Sequence, residues 1–209
     1  MHLLPARTRT ALAAGAVLGV LVCVAAVVLT PPDAKLGVMV RFVMFHGAST
    51  WVNMATFTLA GAFGIAVLLG HEGARRWDEA LRWVSLPLWC VNSVLGLLSM
   101  QLIWGGVLWS EPRLRMTFGV LGGALVIFAA QMLFASPKVT AALDAVLAIA
   151  LWTFVLVLPN LFHPDSPVFQ SGNWEYIGTF LGMVAGVGLA VGCIATLVAR
   201  RDGSNAAAE

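Results

Sequence analysis

Two histidines and one short polar segment carry most of the side chains in this sequence that could do chemistry. His46 precedes a long apolar run, and His163 lies in the longest polar connection of the chain. The hinge between them (residues 104–115) contributes two tryptophans and two arginines: Trp104, Trp109, Arg113 and Arg115. Two imidazoles from separate elements can bind haem iron from opposite faces, and guanidinium groups pair well with carboxylates such as the haem propionates. The pattern indicates a candidate haem site with His46 and His163 as axial ligands.

The same residues also have an ordinary explanation, which the spacing leaves open. Tryptophan is enriched where membrane helices meet water, and six of the eight tryptophans could form such a belt: Trp51, Trp77, Trp83, Trp104, Trp109 and Trp174. Arginines in short connections are often simply solvated. A histidine at the start of a helix can serve only as a hydrogen-bonding group.

Composition places the chain among polytopic membrane proteins. Of its 209 residues, 60% are hydrophobic and 11% are charged, with a mean hydropathy of +0.90. That is far too little charge for a soluble domain of this length. The net charge of +2 gives no reason to expect nucleic acid as a partner. Three cysteines lie inside apolar runs without a metal or redox spacing. No metalloprotease helix, phosphate loop or serine–histidine–aspartate arrangement is present, so we do not expect an enzyme.

Hydropathy predicts an all-α fold with six transmembrane helices, since about 20 apolar residues cross a bilayer. The predicted spans are about 11–30, 48–69, 86–107, 116–134, 139–158 and 176–199. Residues 35–45 are expected to form a separate interfacial helix, with Arg41 pointing to water. A charged loop is expected between His71 and Arg82.

The distribution of basic residues predicts the orientation. Cytoplasmic segments carry an excess of lysine and arginine. With both termini inside, the inner segments hold eight basic residues: Arg7, Arg9, Arg75, Arg76, Arg82, Lys138, Arg200 and Arg201. The outer segments hold four: Lys35, Arg41, Arg113 and Arg115. We therefore expect both termini in the cytoplasm, and His46, the hinge and His163 on the outer, periplasmic side of the cell (inner) membrane.

Two of the predicted spans carry polar stripes, and others carry glycines four residues apart. The second span places His46, Thr50 and Asn53 on one helix face, and the third does the same with Asn92, Gly96 and Ser99. Polar stripes in membrane helices should face protein or ligand rather than lipid. Glycines at this spacing suit close packing of helices, within the bundle or against a partner protein.

The sequence resembles the haem-handling membrane proteins of cytochrome c maturation, most closely the six-span CcmC type. Residues 41–51, with Arg41, His46 and Trp51, are similar to the family segment Arg-x-x-x-x-His-x-x-x-x-Trp. Residues 75–78 resemble its inner loop. The hinge aligns with the family's tryptophan-rich signature Trp-Trp-x-Trp-Asp-x-Arg-Leu, in which Arg113 and Leu114 are kept. The resemblance covers most of the chain.

The resemblance implies that the protein holds haem b transiently at the outer face of the membrane. His46 and His163 would then be the axial ligands, and five residues would contact the haem: Trp51, Trp104, Trp109, Arg113 and Arg115. It further implies an ABC-type transporter and a haem chaperone as partners, beside membrane lipid. Haem would pass from this protein to the chaperone for delivery to apocytochrome c.

The chain also departs from the family signature. Val107, Leu108 and Ser110 stand where the family has tryptophans, Glu111 replaces the aspartate, and the surroundings of His163 differ. Two further functions therefore remain open. One is a b-haem subunit of a redox complex, in which haem would stay bound. The other is a haem-free membrane subunit that docks partner proteins through its glycine-rich helix faces.

Overall fold

The chain is an all-helical, multi-pass membrane protein. Its fold is taken from a computed structural model, which describes residues 5–134, 136–159 and 167–202. The helices are α1 (Ala6–Leu29), α2 (Val40–Leu68), α3 (Arg75–Trp104), α4 (Pro112–Leu133), α5 (Pro137–Val157), α6 (Pro167–Gln170) and α7 (Trp174–Asp202). Across these described ranges there is no β-strand.

Six of these helices are long and apolar enough to cross a membrane, as the hydropathy pattern predicts. Their outward faces are strongly apolar. Val126, Met132 and Leu156 are 67%, 79% and 79% exposed in the isolated chain. Apolar side chains this exposed are stable only in contact with lipid or another protein. The prediction of an all-α protein with six transmembrane helices is confirmed.

The expected interfacial helix over residues 35–45 is wrong. Residues 40–45 are the first turns of α2, which continues without a break to Leu68. Arg41 does not point to water alone, because its Nε donates to the Thr30 carbonyl at 2.8 Å. That carbonyl directly follows α1, where the helix dipole favours a cation. Arg41 thus joins the start of α2 to the end of α1.

The expected charged loop between His71 and Arg82 is also wrong for most of its length. A 3₁₀ turn over Glu72–Ala74 leads directly into α3, which begins at Arg75. The helix has 30 residues and is therefore about 45 Å long. Its first two turns carry Asp78 and Arg82 into the bundle, where both are buried.

Proline and glycine set the helix boundaries on either side of the hinge. α3 ends at Trp104 and is followed by Gly105, whose φ of 72° is a left-handed conformation that glycine adopts without strain. α4 begins with Pro112 and α5 with Pro137, at the first helical position where the missing N–H costs nothing. The hinge therefore contains a loop of only seven residues, 105–111, and its last residues belong to α4.

Contacts between named residues fix the direction of each helix. The pairs are Gly15–Cys193 and Gly182–Ala26 for α1 and α7, Gly96–His46 for α2 and α3, Gly47–Phe180 for α2 and α7, Trp89–Thr117 and Trp83–Phe128 for α3 and α4, and Gly61–Ala148 and Gly64–Ala141 for α2 and α5. One end of the bundle, named the His46 end, therefore gathers the C-termini of α1, α3 and α5 with the N-termini of α2, α4 and α7.

α1 and α7 pack through their glycines at backbone contact. A Cβ added at Gly186 would lie 2.5 Å from the Cys23 nitrogen and 2.6 Å from the Gly19 carbonyl oxygen. Neither atom belongs to a flexible side chain, so nothing there can move aside. The glycine faces of these two helices are consequently used inside the bundle.

We predict that Gly186→Ala destabilises the protein by about 1–3 kcal/mol, because the added methyl group forces two backbones apart. The thermal midpoint of the detergent-purified protein checks this. Gly192→Ala is the matched control, since a Cβ at that position of α7 meets no atom of the described residues within 4 Å. A Gly186→Ala midpoint as high as that of the Gly192→Ala control would contradict the packing.

Candidate functional site

His46 lies inside the bundle rather than before its second span. It is the seventh residue of α2, about 9 Å along the axis from the start of the helix. Its ring packs on α3 at Gly96, where a Cβ would approach Cε1 to 3.3 Å and Nε2 to 3.5 Å. Glycine at position 96 therefore leaves the space that the imidazole occupies.

Below His46, α2 and α3 are joined by a cluster of side-chain hydrogen bonds. The Ser49 hydroxyl donates a hydrogen bond to the side-chain amide oxygen of Asn92 at 3.0 Å. Thr50 lies against both groups of the same amide: its hydroxyl is 3.2 Å from the Asn92 oxygen and 3.0 Å from the nitrogen. The residue Asn92 is 2% exposed. The two polar stripes that the sequence indicates thus meet each other.

Asn53 continues this contact one turn further. Its amide takes the orientation that satisfies both of its polar groups, with the nitrogen donating to the Ser85 carbonyl at 3.2 Å and the oxygen accepting from the Trp89 N–H at 2.8 Å. A regular α-helix pairs these two backbone groups with each other. Pro87 lies between them and removes another helical donor. Asn53, itself 0% exposed, therefore adds hydrogen bonds to the backbone of α3 on either side of Pro87.

The two hydrogen-bonded levels form one structure, which we name the polar seam. It consists of Ser49, Thr50, Asn53 and Thr56 of α2 with Ser85, Asn92 and Ser93 of α3. His46 lies at one end of the seam, at the level of Gly96. Because unsatisfied polar groups are costly in lipid, the seam holds these two helices in one register.

Arg113 lies on the other side of α3 at a similar level. Thr117 accepts the Trp89 indole N–H at 2.9 Å through its carbonyl, and its hydroxyl donates to the Arg113 carbonyl at 2.9 Å. One turn of α4 therefore places Arg113 about 6 Å from this contact toward the His46 end. The guanidinium is half-buried, and its buried Nε has no acceptor among the described residues.

Arg115 and Trp109 are joined to each other by a hydrogen bond within the hinge. Arg115 Nε donates to the Trp109 carbonyl at 2.9 Å. The Trp109 ring packs on Phe118, with centroids 5.9 Å apart, and is 61% exposed. Trp104 is the last residue of α3, 42% exposed and eight residues beyond Gly96, or about 12 Å along the axis. The two hinge tryptophans thus lie further out than His46.

Trp51 belongs to an aromatic cluster beside His46. Its ring stacks on Phe169 of α6 at 5.6 Å and meets Phe180 of α7 edge-on at 5.3 Å. Phe180 in turn lies against Gly47, the residue after His46. The cluster ties α6 to the His46 end of the bundle. His163, the expected second ligand, lies outside the described residues.

The described residues offer a partial fit to haem. His46 supplies an imidazole in a glycine-lined seat, and Arg113 supplies a half-buried donor that lacks an acceptor. Ser99, one turn beyond Gly96, adds a buried hydroxyl that has no partner within the described part of the chain. Unsatisfied buried donors of this kind are what an anionic ligand group would satisfy. Glu111 immediately precedes α4 and is close in sequence to Arg113. Its side chain is completely buried.

A second polar cluster, which sequence reasoning missed, lies at the opposite end of the bundle. Arg82 donates through Nη2 to Asp78 at 2.8 Å and through Nε to Asp144 of α5 at 2.5 Å. All three residues are less than 5% exposed. The signal was present in the sequence. Asp78 and Arg82 are four residues apart and can therefore pair on one helix face. A single acidic residue in an apolar helix, such as Asp144, is normally paired with another polar or charged group.

We predict that Asn53→Leu lowers the free energy of unfolding by about 1–2 kcal/mol, because it removes the two hydrogen bonds by which the amide joins α2 to the backbone of α3. Chemical or thermal unfolding in detergent measures the loss. Thr153→Val is the control, since the Thr153 hydroxyl bonds only within its own helix, to the Ile149 carbonyl, and is exposed. Equal stability of the two variants would show that the Asn53 bridge contributes nothing.

No protein-family model and no curated protein matches this chain. Three features of the site bear on its function. These are the seated imidazole of His46, the half-buried guanidinium of Arg113 and the hinge that joins α3 to α4.

Proposed function

We propose that this protein binds haem at the His46 end of the bundle and hands it on during cytochrome c assembly. The observation that carries the proposal is the placement of His46. Its imidazole lies against a glycine of α3, at a level close to a buried arginine donor that lacks an acceptor. The motif resemblance of residues 41–51 and of the hinge supports the same function.

Each residue has a defined task in this proposal. Iron in haem accepts an imidazole nitrogen as an axial ligand, and His46 supplies it. Arg113 pairs with a propionate through its free Nε–H. His163 supplies the second imidazole. Trp51, Trp104, Trp109 and Arg115 line the approach. Haem is cargo here, so the protein binds and releases it without catalysing a reaction.

The proposed orientation places the His46 end outside the cell membrane. Arg82 is paired inside the bundle and no longer counts as a loop charge, which leaves seven basic residues at the opposite end against four at the His46 end. This excess still favours cytoplasmic termini. An outward-facing haem site suits delivery to a haem chaperone in the periplasm, with an ABC-type transporter releasing the complex.

One observation favours a second candidate, a b-haem subunit that retains its haem and docks in a larger complex. His46 lies about two turns inside α2, deeper than a surface cargo site requires. The haem-free docking function has less support, because the glycine faces of α1 and α7 already pack on each other. Transfer of haem to an acceptor protein separates the assembly factor from the resident b-haem subunit.

We predict that the protein purified after haem-replete expression shows a Soret absorbance band, and that His46→Ala removes most of it. The loss follows because, within the described residues, His46 is the histidine that packs against Gly96, and His163 alone would leave the haem iron with one axial ligand. His71→Ala is the matched control, since His71 is exposed at the opposite end of the bundle. A colourless wild type, or equal bands in the two variants, would overturn the proposal.

A substitution at Gly96 tests the packing of the His46 imidazole on α3 without replacing the proposed ligand itself. We predict that Gly96→Ala weakens haem binding about tenfold, as expected when a group that orients a metal ligand is altered. The added Cβ would press on the imidazole at 3.3 Å and displace it by a few tenths of an ångström. Haem titration of the apoprotein measures the affinity. The control is Gly122→Ala, where a Cβ meets no described atom within 4 Å.

A further inference from the structure

The cluster of Asp78, Arg82 and Asp144 holds one more acidic group than basic groups. Two carboxyl groups contact a single guanidinium, and all three side chains are nearly sealed from solvent, at 2–4% exposure. If every group were ionised, the cluster would carry a net charge of −1 in the interior. An uncompensated buried charge of this kind costs several kcal/mol. Some further species must therefore neutralise it.

The hydrogen bonding of the cluster indicates where the neutralising species binds. The Asp78 and Asp144 carboxyl groups both contact the Arg82 guanidinium and are thereby held close together, although carboxylates can only accept hydrogen bonds. Asp78 Oδ1 is buried and receives no hydrogen bond from any described group. A proton on one carboxyl satisfies both conditions, because it supplies the donor for the contact and removes the excess charge.

We propose that Asp78, Arg82 and Asp144 form a buried proton-binding site in which the two carboxyl groups share one proton. The protonated carboxyl donates to its ionised neighbour, and Arg82 contacts both. The neighbour balances the charge of Arg82, so the cluster is neutral. The excess carboxylate is balanced by a proton rather than by a metal cation, since Arg82 would repel a second positive ion at this distance.

Among the described residues that α2 and α3 place around the cluster, none adds another compensating charge. α2 presents Gly64 to Asp78, and a Cβ there would lie 3.3 Å from Oδ1. It presents Gly61 to the backbone of Asp144. The nearest further acid, Glu79, is paired with Arg75 at 2.8 Å on a more exposed face. The two glycines let α5 approach closely enough for Asp144 to reach Arg82.

The site lies at the end of the polar seam away from His46. Asp78 precedes Gly96 by 18 residues, which is about 27 Å along α3 and close to the thickness of the hydrocarbon core. The proton site and the His46 seat are therefore separate sites near the two faces of the membrane. The proton site does not depend on whether haem binds.

Infrared spectroscopy of the detergent-purified full chain at neutral pH tests the proposal directly. We expect a carbonyl-stretch band of a protonated carboxyl group that shifts in D₂O. Both Asp78→Asn and Asp144→Asn should remove it, since either change leaves one carboxylate to balance Arg82. Asp33→Asn is the control. Asp33 lies half-buried in the connection between α1 and α2, and backbone N–H groups of Leu36 and Lys35 hold its pKa below the ordinary value. This control should leave the band unchanged.

Stability measurements give an independent readout. Each single asparagine variant keeps a neutral cluster and should unfold within about 3 °C of the wild type. The double variant Asp78→Asn/Asp144→Asn leaves Arg82 without a counter-charge and should lose roughly 10 °C. A wild type without a protonated-carboxyl band would overturn the proposal. So would a band that survives both single changes, because buried Glu111 would then be its source.

Discussion

The fold depends on the requirement that polar groups in a membrane find partners within the protein. The polar seam between α2 and α3 meets this requirement with side chains from both helices. The Asn53 amide meets it for the backbone of α3 as well, at the place where Pro87 weakens the helix. Sliding one helix along the other by a single turn would leave Asn53, Thr50 and Asn92 facing apolar neighbours. The seam therefore fixes the register of the pair, and with it the meeting of His46 and Gly96.

The other helices attach to this pair by close backbone packing. α5 approaches α2 at Gly61 and Gly64, and α7 approaches α1 at Gly186. Van der Waals contact of this kind is the main attraction between helices in lipid, where apolar burial gives little advantage. α4 is held by the Trp89–Thr117 hydrogen bond and by the contact of Trp83 with Phe128. The polar seam, the Trp89–Thr117 hydrogen bond and the Arg82–Asp144 pair thus all involve α3, which is the common neighbour of His46 and Arg113.

Much of this arrangement could be predicted from the sequence. Apolar runs of sufficient length gave the six membrane helices, and the periodic placement of Thr50, Asn53 and Asn92 indicated two polar faces turned inward. The boundaries of α2 and α3 could not be read in this way. Arg41, Asp78 and Arg82 look like loop charges in a hydropathy pattern. Asp78 and Arg82 are close enough in sequence to pair on one helix face, but the contact of Arg82 with Asp144 and that of Arg41 with the Thr30 carbonyl are visible only when the helices are placed together.

The hinge is a second place where the sequence pattern did not predict the arrangement. Its tryptophans and arginines appear as one motif in the sequence, yet the structure gives them different tasks. Arg115 and Trp109 stabilise the connection itself, whereas the Arg113 Nε has no acceptor within the part of the chain that the structure describes. Sequence spacing cannot separate these tasks, because helix α4 begins inside the motif at Pro112 and turns successive residues to different sides.

Hydrogen-bonding capacity is distributed unevenly along the seam, and this distribution connects the two proposed sites. In the middle, the groups of Thr50, Asn53 and Asn92 are paired with one another or with backbone. Within the described residues, buried side-chain groups without a partner include Arg113 Nε and Ser99 Oγ toward one end, and Asp78 Oδ1 and Arg82 Nη1 toward the other. A group left over in the middle would only cost stability, since nothing could reach it. Near the ends of the helices, a ligand from the water can supply the missing hydrogen-bond partner. In the two proposals this ligand is an anionic group at one end and a proton at the other.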